Sequence, residues 1–195
     1  INTSIEQMDP LIGESDALQQ IRNLIYQVAP TSVNIHITGE SGSGKELIAK
    51  QIHRLSKQAQ QAFIAMDFSS INANEQEKIL FGTPSNPYGK WQQAQSGTLY
   101  LKEISAMNSI VQSRLFQLSK SEGAQATRMI SSSKNDALKQ GVNKELFYKL
   151  STLAIKVPPL RERWGDLFDL VDYYCSHFKQ LHQKPNITLS EKLIE

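Results

Sequence analysis

The glycine-rich stretch at residues 39–46 has the residue types and the spacing of a phosphate-binding loop. Its three glycines allow the backbone to turn so tightly that successive N–H groups point into one concavity. Lys45 and the start of a following helix add positive charge at the mouth. The spacing fits the phosphate-loop pattern, except that Glu46 stands where Ser or Thr usually reaches for magnesium. We therefore predict a nucleotide site formed by Gly39, Glu40, Ser41, Gly42, Ser43, Gly44, Lys45 and Glu46.

Composition and charge are those of one ordinary globular domain. The chain has 195 residues, of which 39% are hydrophobic and 21% charged, enough for an α/β domain with a core. A net charge of +2 without a basic block gives no indication of direct DNA binding by this segment. The single cysteine, Cys175, forms no internal disulfide, and no Cys or His spacing predicts a metal site. With no apolar run of membrane-spanning length and no signal peptide, we expect a cytoplasmic piece of a longer protein without membrane contact.

Short apolar strands alternate with amphipathic helices, which favours a parallel sheet covered by helices on both faces. Ligands of such sheets bind beyond the carboxyl ends of the strands, and the first strand leads directly into the loop. After Pro158-Pro159 the pattern turns helical, so we predict an α/β domain over 1–163 and the beginning of a smaller helical subdomain over 164–195. The predicted strands are 33–37, 62–68, 98–101, 128–131 and 153–157; the predicted helices are 16–29, 45–56, 110–118, 144–150 and 167–178, with a polar segment before Leu80.

Four separated motifs resemble the central AAA+ domain of bacterial enhancer-binding proteins, the ATP-driven activators of sigma-54 RNA polymerase. The likeness begins at Leu11-Ile12-Gly13 and spans nearly the whole chain. It implies an AAA+ P-loop fold, a three-layer sandwich with a parallel sheet, and places Ile12 and Gly13 beside the nucleotide. It also implies self-association through the AAA+ surface, and contacts of the complete protein with RNA polymerase and promoter DNA. The motifs are 39–46, Leu80-Phe81-Gly82, Gly97-Thr98-Leu99-Tyr100-Leu101 and Pro158-Pro159-Leu160-Arg161-Glu162-Arg163.

The metal position departs from that family. The family's Walker B strand ends in Asp-Glu, whereas this chain has Lys102-Glu103. A like-signed charge about 4 Å from a divalent ion raises the free energy by about 8 kcal/mol at an effective dielectric of about 20, so we expect no ordinary magnesium site. Either Lys102 stands in the place of the metal and neutralises phosphate oxygens, or it swings away to pair with Glu103 or Glu40. Glu103, the family's water-polarising carboxylate, is the one catalytic candidate, unless it is vestigial or a partner for Lys102.

The arginine finger and the sensor have changed as well. The family's finger helix reads Phe-Arg-x-Asp-Leu-Tyr-Tyr-Arg-Leu, and the two arginines are replaced here by Asn143 and Lys149. Such a finger contributes roughly 10³- to 10⁵-fold to hydrolysis. Ser133 and Lys134 stand where the family has Thr-Asn. The family's Gly-Ala-Phe-Thr-Gly-Ala loop, which contacts the sigma factor, has only residues 83–88 available, so we predict that this loop is absent.

These departures predict a regulatory nucleotide-binding AAA+ domain of a DNA-binding transcription regulator that does not hydrolyse ATP or remodel sigma-54 polymerase. Its ligand would be ATP or another nucleotide, bound without magnesium. One alternative is a slow ATPase that still activates sigma-54 RNA polymerase. Another is a sensor of a cyclic dinucleotide (c-di-GMP), as in VpsR-like regulators of biofilm or motility genes.

Several other residues admit a simpler interpretation beside a functional one. His36 reads as a strand residue on a half-covered face, and Trp91 and Trp164 as buried anchors. The Arg161-Glu162-Arg163 motif either reaches the loop or forms a local ion pair at a helix start. Basic side chains that could contact another nucleotide, but are more simply surface charges, are Arg22, Lys50, Arg54 and Arg161.

Overall fold

Helices and strands alternate along the chain as the sequence predicts. The computed structural model describes residues 10–121, 127–134 and 136–182. The strands are β1 (Ile35–Thr38), β2 (Phe63–Asp67), β3 (Thr98–Lys102), β4 (Arg128–Ser133) and β5 (Leu153–Lys156). The helices are α1 (Asp16–Val28), α2 (Lys45–Arg54), α3 (Ala73–Phe81), α4 (Lys90–Gln93), α5 (Ser109–Ser121), α6 (Lys144–Leu150) and α7 (Gly165–Leu181).

The five strands form one parallel sheet in the order β2-β3-β4-β1-β5. At the carboxyl edge, Thr38 of β1 lies opposite Ser133 of β4, and Asp67 of β2 lies opposite Lys102 of β3. Since parallel strands all end at this edge, the loop that follows β1 is brought next to the ends of its neighbours. The predicted parallel sheet is confirmed.

Helices cover both faces of the sheet, and alternation along each strand divides the core in two. On β3, Leu99 and Leu101 enter one core while Tyr100 enters the other, as the two-residue period of a strand requires. The first core packs against α3, α5 and α6, and the second packs against α1 and α2. This three-layer arrangement leaves the carboxyl edge of the sheet as the place for polar side chains.

A buried arginine fixes the end of α1. Helix α1 begins at the predicted N-cap, where the Ser15 hydroxyl accepts from the backbone N–H of Leu18. Arg128 of β4 is only 2% exposed, and its guanidinium donates to the carbonyls of Val28 (2.8 Å) and Ala29 (2.9 Å). These carbonyls lie at the end of the helix and have no partner within it. Burial lowers the pKa of Arg128 to about 10, so it remains charged at neutral pH.

The polar segment before Leu80, for which no helix was predicted, forms helix α3. The Asn72 side chain caps the helix, and Gln76 is buried at 1% exposure. The Gln76 side chain donates to the carbonyl of Ala106 (2.9 Å) and accepts from the N–H of Asn108 (2.9 Å). Because this buried position is filled by a hydrogen-bonded amide, the helix lacks the apolar periodicity by which it could be recognised.

A tight turn at residues 82–89 joins α3 to α4. Thr83 and Asn86 exchange two backbone hydrogen bonds, of 2.8 and 3.1 Å. A Cβ added at Gly89 would lie 2.4 Å from the backbone nitrogen of Gly82, so a side chain at Gly89 does not fit this turn. Residues 82–89 therefore form a closed turn between the two helices.

The two tryptophans differ in exposure. Trp91 of α4 is 5% exposed and packs near Phe81, as predicted for a buried anchor. Trp164 is 64% exposed, which corrects the same prediction for that residue. It precedes α7, whose Phe168 is likewise exposed on the described part of the chain. Within the described residues, no helix combines the length and the apolar character needed to span a membrane.

Candidate nucleotide-binding site

The backbone of the loop needs glycine at several positions. Gly42 and Gly44 have φ angles of 77° and 100°, in the left-handed region that side chains disfavour. A Cβ at Gly39 would lie 2.8 Å from both the Ser43 hydroxyl and the Val157 carbonyl oxygen. The loop therefore folds as a tight cradle between the end of β1 and the start of α2.

The start of α2 offers an anion-binding environment. Gly44 is its N-cap, and no side chain of the described residues caps the helix, so its first N–H groups remain available. The hydroxyl oxygen of Ser43 is buried and has no hydrogen-bond partner among the described residues. The Lys45 ammonium folds over the cradle and donates to the carbonyls of Gly39 (2.7 Å) and Glu40 (2.9 Å). Free amides, an unpartnered hydroxyl and a lysine fit the phosphates of a nucleotide.

Lys102 forms ion pairs with two carboxylates beyond the end of β3. Its Nζ lies 3.0 Å from an oxygen of Glu46 and 3.3 Å from an oxygen of Asp67. Lys102 was expected to pair with Glu103 or Glu40 if it swung away, and that expectation is wrong. Glu46 and Asp67 lie on α2 and β2, nearer to the ammonium than either expected partner. Glu46 also pairs with Lys50, at 3.1 Å.

The pKa values of this cluster favour the charged forms. Burial opposes the charge on Lys102, but hydrogen bonds to Glu46 and Asp67 outweigh it and raise the pKa of Lys102 above its usual value. Burial likewise opposes ionisation of Glu46 and Asp67, yet their hydrogen bonds, including those from Lys102, lower both pKa values. The lysine is thus held as a cation between two carboxylates beyond the end of β3.

Glu103 is held between the loop and the end of β4. Its side chain is 12% exposed, with one oxygen 3.6 Å from the Lys45 ammonium. The other oxygen accepts from the backbone N–H of Lys134 at 3.1 Å. The residue adopts φ 52° and ψ 57°, a left-handed conformation uncommon for a side chain of this type. Its expected pairing with Lys102 is therefore replaced by contacts with Lys45 and Lys134.

His36 is buried, which corrects the prediction of a half-covered face. It is 1% exposed, and its ring nitrogens lie 2.8 Å from the Ser131 hydroxyl and 3.1 Å from the Ser133 hydroxyl. Burial lowers the pKa of His36 to about 4, so the ring is neutral at pH 7. The Ser133 carbonyl accepts the N–H of Gly39 at 3.3 Å. His36 thereby links Ser133 of β4 to β1, the strand that leads into the loop.

Two clefts meet at the loop. The β3 cleft, of about 340 Å³, is lined by Gly44, Lys45, Glu46, Asp67, Lys102, Glu103 and Lys134, among others. The α7 cleft, of about 470 Å³, is lined by Leu11, Ile12, Ser43, Leu47, Leu170 and Tyr174, among others. The β3 cleft is lined mostly by charged and polar residues, whereas the α7 cleft combines apolar side chains with the charged Glu40, Arg161 and Arg163. Ser41, Gly42 and Gly44 line both clefts, which suits a ligand with an anionic end and a flatter apolar end.

The remaining predicted residues have distinct positions. Glu40 lines the α7 cleft and pairs with Arg161 through two hydrogen bonds of 2.6 and 2.7 Å, which lower the pKa of Glu40. Arg161 thus reaches the loop, and Arg163 both forms the local ion pair with Asp166 at the start of α7 and donates to the Ser43 carbonyl of the loop. Ile12 borders the α7 cleft, whereas Gly13 contacts Asp166 and is not among the lining residues described.

Arg22 and Arg54 lie away from the two clefts. They line a separate depression of about 230 Å³ beside Tyr26. The Arg22 guanidinium donates to the carbonyls of Leu11 (2.8 Å) and Gly13, so it supports the segment that borders the α7 cleft. As positions for a nucleotide at the loop, these two arginines are not brought into the site.

Sequence reasoning missed Asp67 and Asp166. Asp67 ends an apolar strand, and the end of a strand is where a parallel sheet places ligand-binding groups, so the signal was present. Its relation to Lys102 depends on the pairing of β2 with β3. Asp166 stands in the first turn of α7, three residues after Arg163. From the sequence, this spacing predicts only a local ion pair between the two residues.

Comparison with known proteins decides the family. Residues 11–156 match the model of the Sigma-54 interaction domain. The chain belongs to the sigma-54 interaction domain family. Within that family, it is 32% identical over 201 residues to the transcriptional regulatory protein FlbD of Caulobacter vibrioides, in an alignment covering 90% of this chain and 44% of FlbD.

Further relatives of this sigma-54 interaction domain agree. The DNA-binding transcriptional regulator NtrC of Rhizobium meliloti is 32% identical over 202 residues, covering 91% of this chain and 40% of NtrC. The crystal structure of NtrX from Brucella abortus in complex with ATP is similar with a TM-score of 0.85 and 30% identity, covering 94% of this chain and 46% of NtrX. This chain therefore has the AAA+ P-loop fold, and it spans less than half the length of these three relatives.

Proposed function

We propose that this domain binds ATP or another nucleotide without magnesium, and serves as the regulatory AAA+ domain of a DNA-binding transcription regulator. In this proposal it does not hydrolyse the nucleotide and does not act through sigma-54 remodelling. The observation that carries the proposal is the position of Lys102, held between Glu46 and Asp67 beside the loop.

A count of charges in the β3 cleft supports binding without a metal. Three lysines and three carboxylates line it, so its formal charge is zero; they are Lys45, Lys102, Lys134, Glu46, Asp67 and Glu103. With the family's aspartate in place of Lys102, the same six positions would carry a charge of −2, which a divalent cation would neutralise. A fixed ammonium already supplies that compensation here, and it would repel a cation placed beside it.

The chain's own groups can hold the ligand. A bound nucleotide would supply the anionic phosphates and a base. The amides at the start of α2 and the Lys45 ammonium would bind the phosphate oxygens. Lys102 would add a second positive charge next to the carboxylate of Glu46. Leu47, Leu170 and Tyr174 would contact the base in the α7 cleft. The similarity to the ATP complex of NtrX supports a nucleotide as the ligand.

The finger helix supports the absence of hydrolysis. Asn143 is the N-cap of α6, and its side-chain oxygen accepts the N–H of Leu146 at 3.1 Å. That side chain is therefore engaged within its own helix, and an amide carries no charge to offer a neighbouring subunit. Lys149 keeps a positive charge but lacks the planar fork of an arginine. Without the finger and the metal, both of which stabilise the transferred phosphoryl group, turnover loses its main electrostatic contributions.

A slow ATPase that activates sigma-54 RNA polymerase is the second candidate. It is favoured by the position of Glu103, which remains close to Lys45 and fixed by the N–H of Lys134. A cyclic dinucleotide is a third candidate ligand for the regulatory domain. The proposed complete regulator would work in the cytoplasm, associating through its AAA+ surface and contacting RNA polymerase and promoter DNA.

The proposal is tested by measuring ligand binding and phosphate release on the same purified domain. We expect ATP to bind and phosphate release to equal that of a Lys45→Ala control. Release well above the control would contradict the non-hydrolysing proposal and support the slow ATPase. Competition between ATP and c-di-GMP identifies the ligand: displacement of ATP by the dinucleotide at lower concentration would favour the sensor.

A further inference from the structure

We propose that Arg163 and Asp166 form a latch that couples the phosphate loop to helix α7. The latch consists of Ser15, Ser43, Arg163 and Asp166, which are joined by hydrogen bonds. Arg163 and Asp166 act as positioning residues: they hold the loop, the start of α1 and the start of α7 in fixed positions relative to one another. Neither residue needs to touch the ligand.

Asp166 is the buried centre of the latch. Its exposure is 0%, and its carboxylate accepts from the Ser15 N–H at 2.8 Å and from the Ser15 hydroxyl at 2.7 Å. Gly13 has a φ of 119°, and a Cβ there would lie 2.3 Å from the Asp166 carboxyl carbon. The segment before α1 is thus shaped to receive this carboxylate. A charge removed from water so completely requires such partners.

Arg163 extends the connection to the loop. One guanidinium nitrogen lies 3.4 Å from the Asp166 carboxylate, and the other donates to the carbonyl of Ser43 at 3.2 Å. The Arg163 side chain is 9% exposed, so water competes little for these bonds. Ser43 stands in the middle of the loop. A displacement of its carbonyl therefore acts on Arg163, and through Arg163 on Asp166.

The position of the latch gives it a role in ligand response. The α7 cleft is bordered by Leu11 and Ile12 from the segment before α1, and by Leu170 and Tyr174 from α7. The latch joins these two borders to each other and to the loop between them. A nucleotide that reorders the loop would thereby change how α7 is held. This last step rests on the proposed nucleotide binding, whereas the connection itself does not.

The connection is tested without ligand by hydrogen–deuterium exchange on the 195-residue chain. Asp166→Asn keeps the shape but presents an NH₂ group where Arg163 needs an acceptor, and Arg163→Lys has no fork to reach both partners. We expect exchange in residues 39–46 and at the start of α1 to become roughly tenfold faster or more in both variants, since each removes a buried charge-assisted bond. The matched control is Asp169→Asn, an exposed position three residues after Asp166 on the same helix. It should leave exchange in residues 39–46 and at the start of α1 unchanged.

Exchange that accelerates only within α7 would overturn the latch. If Asp166→Asn fails to fold, Arg163→Lys decides the question by the same readout. In a second arm, ATP is added to chains in which Trp91 is replaced by Phe, and the emission of the exposed Trp164, adjacent to Arg163, is recorded alongside calorimetric binding. We expect a change in the wild type that is lost in Arg163→Lys. Binding without a Trp164 response would contradict the coupling, whereas no binding in the wild type would contradict the proposed function and leave the ligand-free arm to decide the latch.

Discussion

Two sides of the carboxyl edge of the sheet differ in the groups that form them. The cradle side comprises the end of β1, the loop 39–46 and the start of α2, and it has the expected motif and a fitting geometry. The strand side comprises the ends of β2 and β3 and the turn 82–89. There a lysine pairs with two carboxylates, and the segment between α3 and α4 is a closed turn.

The difference teaches that binding and hydrolysis depend on separable parts of one site. The cradle is made mostly of backbone N–H groups from a single contiguous segment, so it is specified by glycine spacing alone. A metal site needs carboxylates contributed by different elements, and one substitution can reverse its charge balance. A phosphate cradle and a metal site can therefore change independently of each other.

The largest expected effect comes from removing the cation of the cradle side. Lys45→Ala should weaken nucleotide binding by about 30-fold or more, because the lost ammonium would bind phosphate in a site where Lys45 is only 8% exposed. Equilibrium titration with a fluorescent ATP analogue measures it. Lys50→Ala, which removes only a partly exposed ion pair with Glu46, should change affinity by less than about threefold. Similar losses in both variants would show that general charge, and not the cradle, binds the ligand.

On the strand side, the turn should be intolerant of a side chain. Gly89→Ala places a Cβ 2.4 Å from the Gly82 nitrogen and 2.5 Å from the Leu80 carbonyl oxygen. We expect the free energy of unfolding in urea to fall by about 1–3 kcal/mol, because these backbone atoms must shift. Gly165→Ala is the control, since a Cβ there meets nothing within 4 Å, and it should be neutral or slightly stabilising. If the free energy of unfolding of Gly89→Ala equals that of the wild type, the turn has room for a side chain and is open.

A carboxylate at position 102 should make nucleotide binding dependent on metal. Lys102→Asp places a third carboxylate beside Glu46 and Asp67, so ATP affinity in EDTA should fall by about tenfold or more and recover in Mg²⁺. Lys102→Met removes the charge without adding one and should weaken binding equally in both conditions. If Lys102→Asp binds in EDTA as the wild type does, Lys102 does not compensate the phosphates.

The smallest expected effect is on the pH dependence of stability, through His36 between the two sides. Its folded pKa of about 4 lies below the ordinary value of 6.5, so the unfolded chain binds the proton more readily and stability is lost as pH falls below about 6.5. Between pH 7 and 5.5 this amounts to about 1 kcal/mol. Burial also lowers the pKa of His53, so urea denaturation should show the pH dependence reduced by about 1 kcal/mol in His36→Gln and unchanged in His177→Gln, an exposed control. Equal pH dependence in all three proteins would refute a buried neutral His36.

Sequence predicted the parts of the site that are local. The loop, the five strands and the bounds of α6 follow from glycine spacing and apolar alternation within short segments. Ser15 was recognised as an N-cap because capping involves only the next few residues. These features need no knowledge of which elements become neighbours.

The unpredicted parts depend on neighbours distant in sequence. Helix α3 was missed because its buried Gln76 is satisfied by groups after β3. Lys102 was assigned other partners because its pairing with Asp67 requires β2 to lie beside β3. No sequence pattern around Trp164 indicated that its side chain is exposed. For Gln76 and Lys102 the deciding contact joins two elements whose relative position is set by the whole fold.

The most direct test of the central claim is calorimetric titration of the wild-type domain with ATP, once in Mg²⁺ and once in EDTA. The charge balance at Lys102 predicts dissociation constants that agree within about threefold in the two buffers, because the ammonium already supplies the positive charge. Binding that appears only in Mg²⁺ would contradict the claim, since it would mean that Lys102 moves aside and a metal site forms.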